Sequence, residues 1–151
     1  FFDSYDVLFL EKLSLSAYTE LAGIAAKALK EAQYHLRHAQ RWMLRLGDGT
    51  EESHNRLQDS VVNLWCFSKE LFVPDNLDHV LVTERIGVDL KAINSSWRET
   101  VTDTFREATL DIPGDEQYFA SGSRGGYHTE HLGFLLAEMQ VLQRTHPGAI
   151  W

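Results

Sequence analysis

The residues with the most chemical potential lie in one short run, Lys30-Glu31-Ala32-Gln33-Tyr34-His35-Leu36-Arg37-His38, inside the long stretch Leu15 to Leu46. On a helix, residues seven apart lie nearly one above another, so Ala28, His35 and Trp42 form one row. Glu31, His38 and Arg45 form the row beside it. Glu and His on the inward seam of a bundle helix are the raw material of a metal site. The same side chains also read as a buried polar network joining two helices. A second His-x-x-His pair, His128 and His131, flanks Glu130 near the end of the chain. Residues three apart share a helical face, so two such pairs on adjoining helices could supply four imidazoles, with Glu31, Glu130 or Glu138 adding a carboxylate. A neutral, hydrogen-bonding role for these His residues is the simpler alternative.

A carboxylate-bridged di-iron centre demands more. It takes a Glu-x-x-His pair from each of two helices and a carboxylate from each of two others. The chain offers one Glu-x-x-His, Glu51 to His54, at a helix start where the carboxylate favours the dipole and the imidazole is expected to face water. On the long helix, Tyr34 stands where the His would be, with His35 one step round. The di-iron signature is not met. Cys66, between Trp65 and Phe67, reads as an inert core thiol. Ser121-Gly122-Ser123-Arg124-Gly125-Gly126 precedes a helix but lacks the Lys-Ser/Thr ending of a phosphate loop, and no strand leads into it.

The elements that must position these groups are helical. Leu15 to Leu46 contains no Pro or Asn and one Gly, and is dominated by good helix formers. At ~1.5 Å per residue it predicts a rod of roughly 45 Å, capped by Ser14 or Ser16 and ended by Gly47-Asp48-Gly49. Phe2, Tyr5, Phe9 and Leu13 mark the buried face of an earlier helix, Phe1 to Lys12, which opens at full stride and implies upstream sequence. Thr50 caps a third helix running to about Phe72, with Leu57, Val61, Leu64, Trp65, Phe67, Leu71 and Phe72 as its core stripe. Val73 to Asp89 reads as irregular, with a turn at Pro74-Asp75-Asn76 and an apolar anchor at Val80-Leu81-Val82. A fourth long helix spans Asp89 to about Thr109 and buries Leu90, Ile93, Trp97, Val101, Phe105 and Ala108. The last, Tyr127 to Arg144, is expected to bury Leu132, Leu135, Leu136, Met139 and Leu142, and Trp151 closes the chain with a large apolar group. The whole is an all-α single domain.

Composition sets outer limits. An apolar fraction of 44% with 24% charged residues is that of a globular domain, and no run of about eighteen apolar residues could span a bilayer. A net charge of −8 argues against nucleic acid as a partner. The single Cys66 excludes an intrachain disulfide and fits a cytoplasmic location. Four Trp, eight Phe and five Tyr exceed what an isolated bundle of this size needs, and point to an interaction subunit as readily as to an enzyme.

Three separated motifs carry a resemblance. They are Lys30 to His38 with Arg45-Leu46-Gly47-Asp48-Gly49-Thr50-Glu51, Leu64-Trp65 with Glu70-Leu71-Phe72, and Gly126-Tyr127-His128-Thr129-Glu130-His131-Leu132-Gly133. Leu136-Ala137-Glu138-Met139-Gln140, Leu142-Gln143-Arg144, Pro147-Gly148 and Trp151 extend the last. The chain resembles the C subunits of the ring-1,2-phenylacetyl-CoA epoxidase family, multicomponent oxygenases of aerobic phenylacetate breakdown. The resemblance implies a ferritin-like helical bundle, here apparently lacking its N-terminal helices. It also implies a structural, non-catalytic subunit that pairs with a di-iron A subunit. In such a complex NADPH supplies electrons, O2 is the oxidant, and this subunit itself holds no metal or cofactor. Glu31, His35, His38, His128, Glu130 and His131 then become a degenerate metal site, a polar network where a relative would keep iron. His79, Val80 and Leu81 become the candidate contacts to the CoA portion of phenylacetyl-CoA at the subunit border. A second copy of the chain is a further partner this reading allows. The competing reading is a free-standing ferritin-like metalloenzyme that uses the His/Glu seam, and a stand-alone homodimeric helical protein is a third.

Overall fold

The computed structural model describes residues 1–115 and 118–150, so Trp151 and its expected closing role lie outside the described residues. The chain divides into two compact units, Phe1–Ala120 and Ser121–Trp151.

The elements of the first unit are α1 (Phe2–Leu13), α2 (Thr19–Gly47), α3 (Glu51–Trp65), α4 (Asn76–Thr83) and α5 (Leu90–Glu107), with a 3-10 turn at Lys69–Phe72. Helix α1 packs against α2 and α5, and α2 also meets α3 and α5. Helix α5 supplies the centre, burying Leu90, Ile93, Trp97, Val101 and Phe105, all on one side as their three- and four-residue spacing requires. Its N-cap is Asp89, whose carboxylate accepts from the Lys91 and Ala92 amides. Around it, Trp65 stacks on Trp97 at 5.9 Å, and Phe72 lies 5.0 Å from the same indole. Such pairs add roughly 0.5–1.5 kcal/mol each beyond simple area burial. Every residue expected to face inward from α5 does so, Ala108 included.

Other boundaries differ from expectation. Neither serine caps α2: its N-cap is Tyr18, without a side-chain bond. Ser14 instead ends α1, and the Ser16 hydroxyl donates to the Ile86 carbonyl while accepting from the Tyr18 amide. The third helix stops at Trp65, because the chain tightens into the 3-10 turn before Pro74. Thr50 is its N-cap as expected, and Ser53 completes a capping box, a role more often taken by Glu or Gln. Leu64 and Phe67, expected in its core stripe, are exposed, while Val61, Trp65 and Phe72 are buried. The 73–89 segment is not irregular: Asp75 and Asp78 cap one another's amides and start α4.

The second unit holds a short 3-10 turn at Ser123–Gly125 and α6 (His131–Thr145). Gly122 and Gly126 flank the turn at φ +98° and +89°, a region that favours glycine. Helix α6 begins four residues later than the spacing predicts. Its expected buried face is not covered: Leu135, Leu136, Met139 and Leu142 are exposed and Leu132 is half-buried. Phe134 and Val141, on the opposite side of the helix, are exposed as well. Among the described residues there is no strand, and no helix is long and apolar enough to cross a membrane. The all-α architecture is that of a ferritin-like helical bundle.

Candidate functional site

Helix α2 decides which of the candidate residues can act together. Its buried positions are Ala25, Ala32 and Gly47, small residues that let the helix lie close to its neighbours. The Glu31/His35/His38 rows, expected to face inward, are not covered by the helices of this unit. In this chain Glu31, His35, His38, Trp42 and Arg45 are all exposed, and Ala28 alone of the two rows is half-buried. The physical reason is a competition between two stripes on one helix, which the small-residue stripe wins against α1, α3 and α5.

The outer residues nevertheless form a continuous strip. His35 Nε2 lies 3.6 Å from Glu31 Oε1. Tyr34 stacks on His38 with ring centres 6.2 Å apart, and His38 meets Trp42 edge-on at 6.4 Å. The Arg45 guanidinium sits 5.4 Å from the centre of the Trp42 ring. At such exposure each contact contributes only a fraction of a kcal/mol, by the ~0.5–1 kcal/mol scale of exposed cation–π pairs.

One participant escapes a reading of the sequence. Asp6, on α1, has its carboxyl pushed above the ordinary carboxylate value by burial and by the neighbouring Asp3, while His35 acts in the opposite direction. Asp3 and Asp6 are three apart on α1, so the two carboxylates share one helical face, and His35 of α2 acts on Asp6. An Asp-x-x-Asp pair in the first turns of a helix carries no metal signature by itself, which is why spacing alone does not single it out.

The remaining candidates scatter. His128, Glu130 and His131 lie in the second unit, at and just before the start of α6, all exposed. His79, Val80 and Leu81 fall within α4 rather than on a loop: His79 and Val80 are exposed and Leu81 is half-buried. His54, expected to face water, is half-buried. Its Nδ1 donates to the Gly47 carbonyl at 2.9 Å, tying the start of α3 to the end of α2. Cys66 is half-buried at the end of α3, with its Sγ 3.5 Å from the Asn63 carbonyl.

Between α1, α2, α3 and α5 lies a cavity of about 190 Å³. Leu36, Met43, Leu57, Val61 and Phe105 make its walls largely apolar, and the Gln40 amide donates to the Thr104 hydroxyl at 3.2 Å along one side. Asp3, Ser4 and Ser60 are further polar groups on its wall.

These residues do not fit a di-iron centre. Within neither unit, among the described residues, do three His, Cys, Asp or Glu side chains gather closely enough to hold a metal ion. Glu31 and His35 make a single exposed pair, and a bridged centre takes carboxylates and imidazoles from four helices.

Comparison with known proteins supplies what the geometry leaves open. The family model described as phenylacetic acid catabolic protein matches residues 1–151. Over the same 151 residues the chain is 44% identical to the C subunit of the 1,2-phenylacetyl-CoA epoxidase of Escherichia coli (strain K12). That alignment takes in the whole of this chain and 60% of the length of the relative. A match along every residue, on an all-helical framework, establishes that the chain belongs to the phenylacetic acid catabolic protein family.

Proposed function

We propose that this chain serves as a structural, non-catalytic subunit of a multicomponent oxygenase that epoxidises the ring of phenylacetyl-CoA. The observation that carries the reading is the 44% identity, across all of its residues, with a protein named as the C subunit of such an epoxidase. The ligand geometry supports it, since Glu31, His35 and His38 lie on an exposed aromatic–imidazole strip and not in a shared metal pocket. In this reading the di-iron centre belongs to a partner A subunit, and NADPH and O2 are consumed by the complex.

What this chain contributes is shape and surface. Tyr34, Trp42, Phe134 and Met139 are exposed aromatic or flexible apolar groups of the kinds that anchor protein interfaces. Exposed apolar surface beyond scattered single residues marks a surface that is covered in the working assembly. The exposed His79–Val80 edge of α4, beside half-buried Leu81, is the part assigned to the CoA portion of the substrate. An imidazole and two aliphatic groups there suit the pantetheine arm better than the phosphates, which call for Arg or Lys.

The test is reconstitution. The protein carrying this chain is purified alone and with a di-iron A subunit, and iron per chain and epoxidation of phenylacetyl-CoA are measured for each. The expected result is a stable heteromeric complex, activity only in the complex, and iron confined to the partner. Activity in the isolated protein, or about two tightly held irons per chain in it, would establish the free-standing metalloenzyme instead.

A further inference from the structure

No further inference is drawn: the strongest candidate, the exposed Tyr34–His38–Trp42 strip on the outer side of α2, is an unpartnered aromatic face, and nothing in the structure shows what covers it.

Discussion

Gly47, the last residue of α2, lies directly against the Ala108 carbonyl at the end of α5, so close that a Cβ at 47 would collide with that oxygen. The Gly47 carbonyl in turn accepts from the Thr109 hydroxyl at 3.2 Å and from His54 Nδ1 at 2.9 Å. Three helices are therefore registered through one residue without a side chain. Gly47→Ala is expected to destabilise the protein by about 2 kcal/mol or more, the range of overpacked core sites. Urea denaturation measures it; a loss below about 0.5 kcal/mol would mean that α5 moves aside freely.

At the other end of the same connection, the Thr50 hydroxyl accepts from the Ser53 amide. Thr50→Ala removes that acceptor and should cost about 1 kcal/mol, seen as a lower urea midpoint with an unchanged slope. Thr50→Ser should retain most of the stability.

Trp97 is 3% exposed, stacks on Trp65, and donates its indole N–H to the Phe1 carbonyl at 3.0 Å. Trp97→Ala should cost roughly 3–5 kcal/mol, enough to unfold a marginal domain, whereas Trp97→Phe should lose less. Far-UV circular dichroism of both variants distinguishes the two outcomes.

Asp6 gives a pH prediction with a definite sign. Its carboxyl is raised in the folded state above the ordinary aspartate value, first by burial and then by Asp3. A raised carboxylate destabilises the fold once it is ionised. The penalty is absent at low pH, where Asp6 is protonated folded and unfolded, and it develops as pH rises through the folded value. Asp6→Asn should therefore melt higher than wild type at pH 7, and the gap should close towards about pH 4 and below. Thermal melts across that range check it, and an Asp6→Asn variant that melts below wild type at pH 7, with the deficit closing in acid, would show that the contact with His35 outweighs burial.

The assignment of α4 to the CoA contact predicts a separation of effects. Val80 is 58% exposed, so Val80→Glu should leave the melting temperature within about a degree of wild type, as surface substitutions do. In the reconstituted complex the added negative charge should raise KM for phenylacetyl-CoA while leaving kcat largely unchanged. An unaltered KM would remove α4 from the substrate path.

The legible parts of the fold are those with a single pattern. Helix α5 has one apolar stripe bounded by an Asp cap, and every buried position follows from it. Helix α2 has two stripes, one of small residues and one of aromatics and His. Periodicity says that both exist but not which one the rest of the chain covers, which here is the small-residue stripe. Helix α4 is hidden because Pro74-Asp75-Asn76 reads equally as a turn, and only the reciprocal bonds between Asp75 and Asp78 make it a helix start. The relation of Asp6 to His35 is invisible for a different reason: it arises from α1 lying along α2, a long-range fact that no local spacing records.

The segment after α5 shows a further kind of dependence. The Gln58 side-chain amide donates to the Asp111 carbonyl at 3.0 Å and accepts from the Asp111 amide at 2.8 Å, supplying both partners that a neighbouring strand would give. Because Gln58 belongs to α3, the Asp111 amide has no such protection until α3 and α5 have come together. Its hydrogen-exchange rate is therefore a site-specific clock for tertiary assembly, independent of how quickly either helix forms on its own.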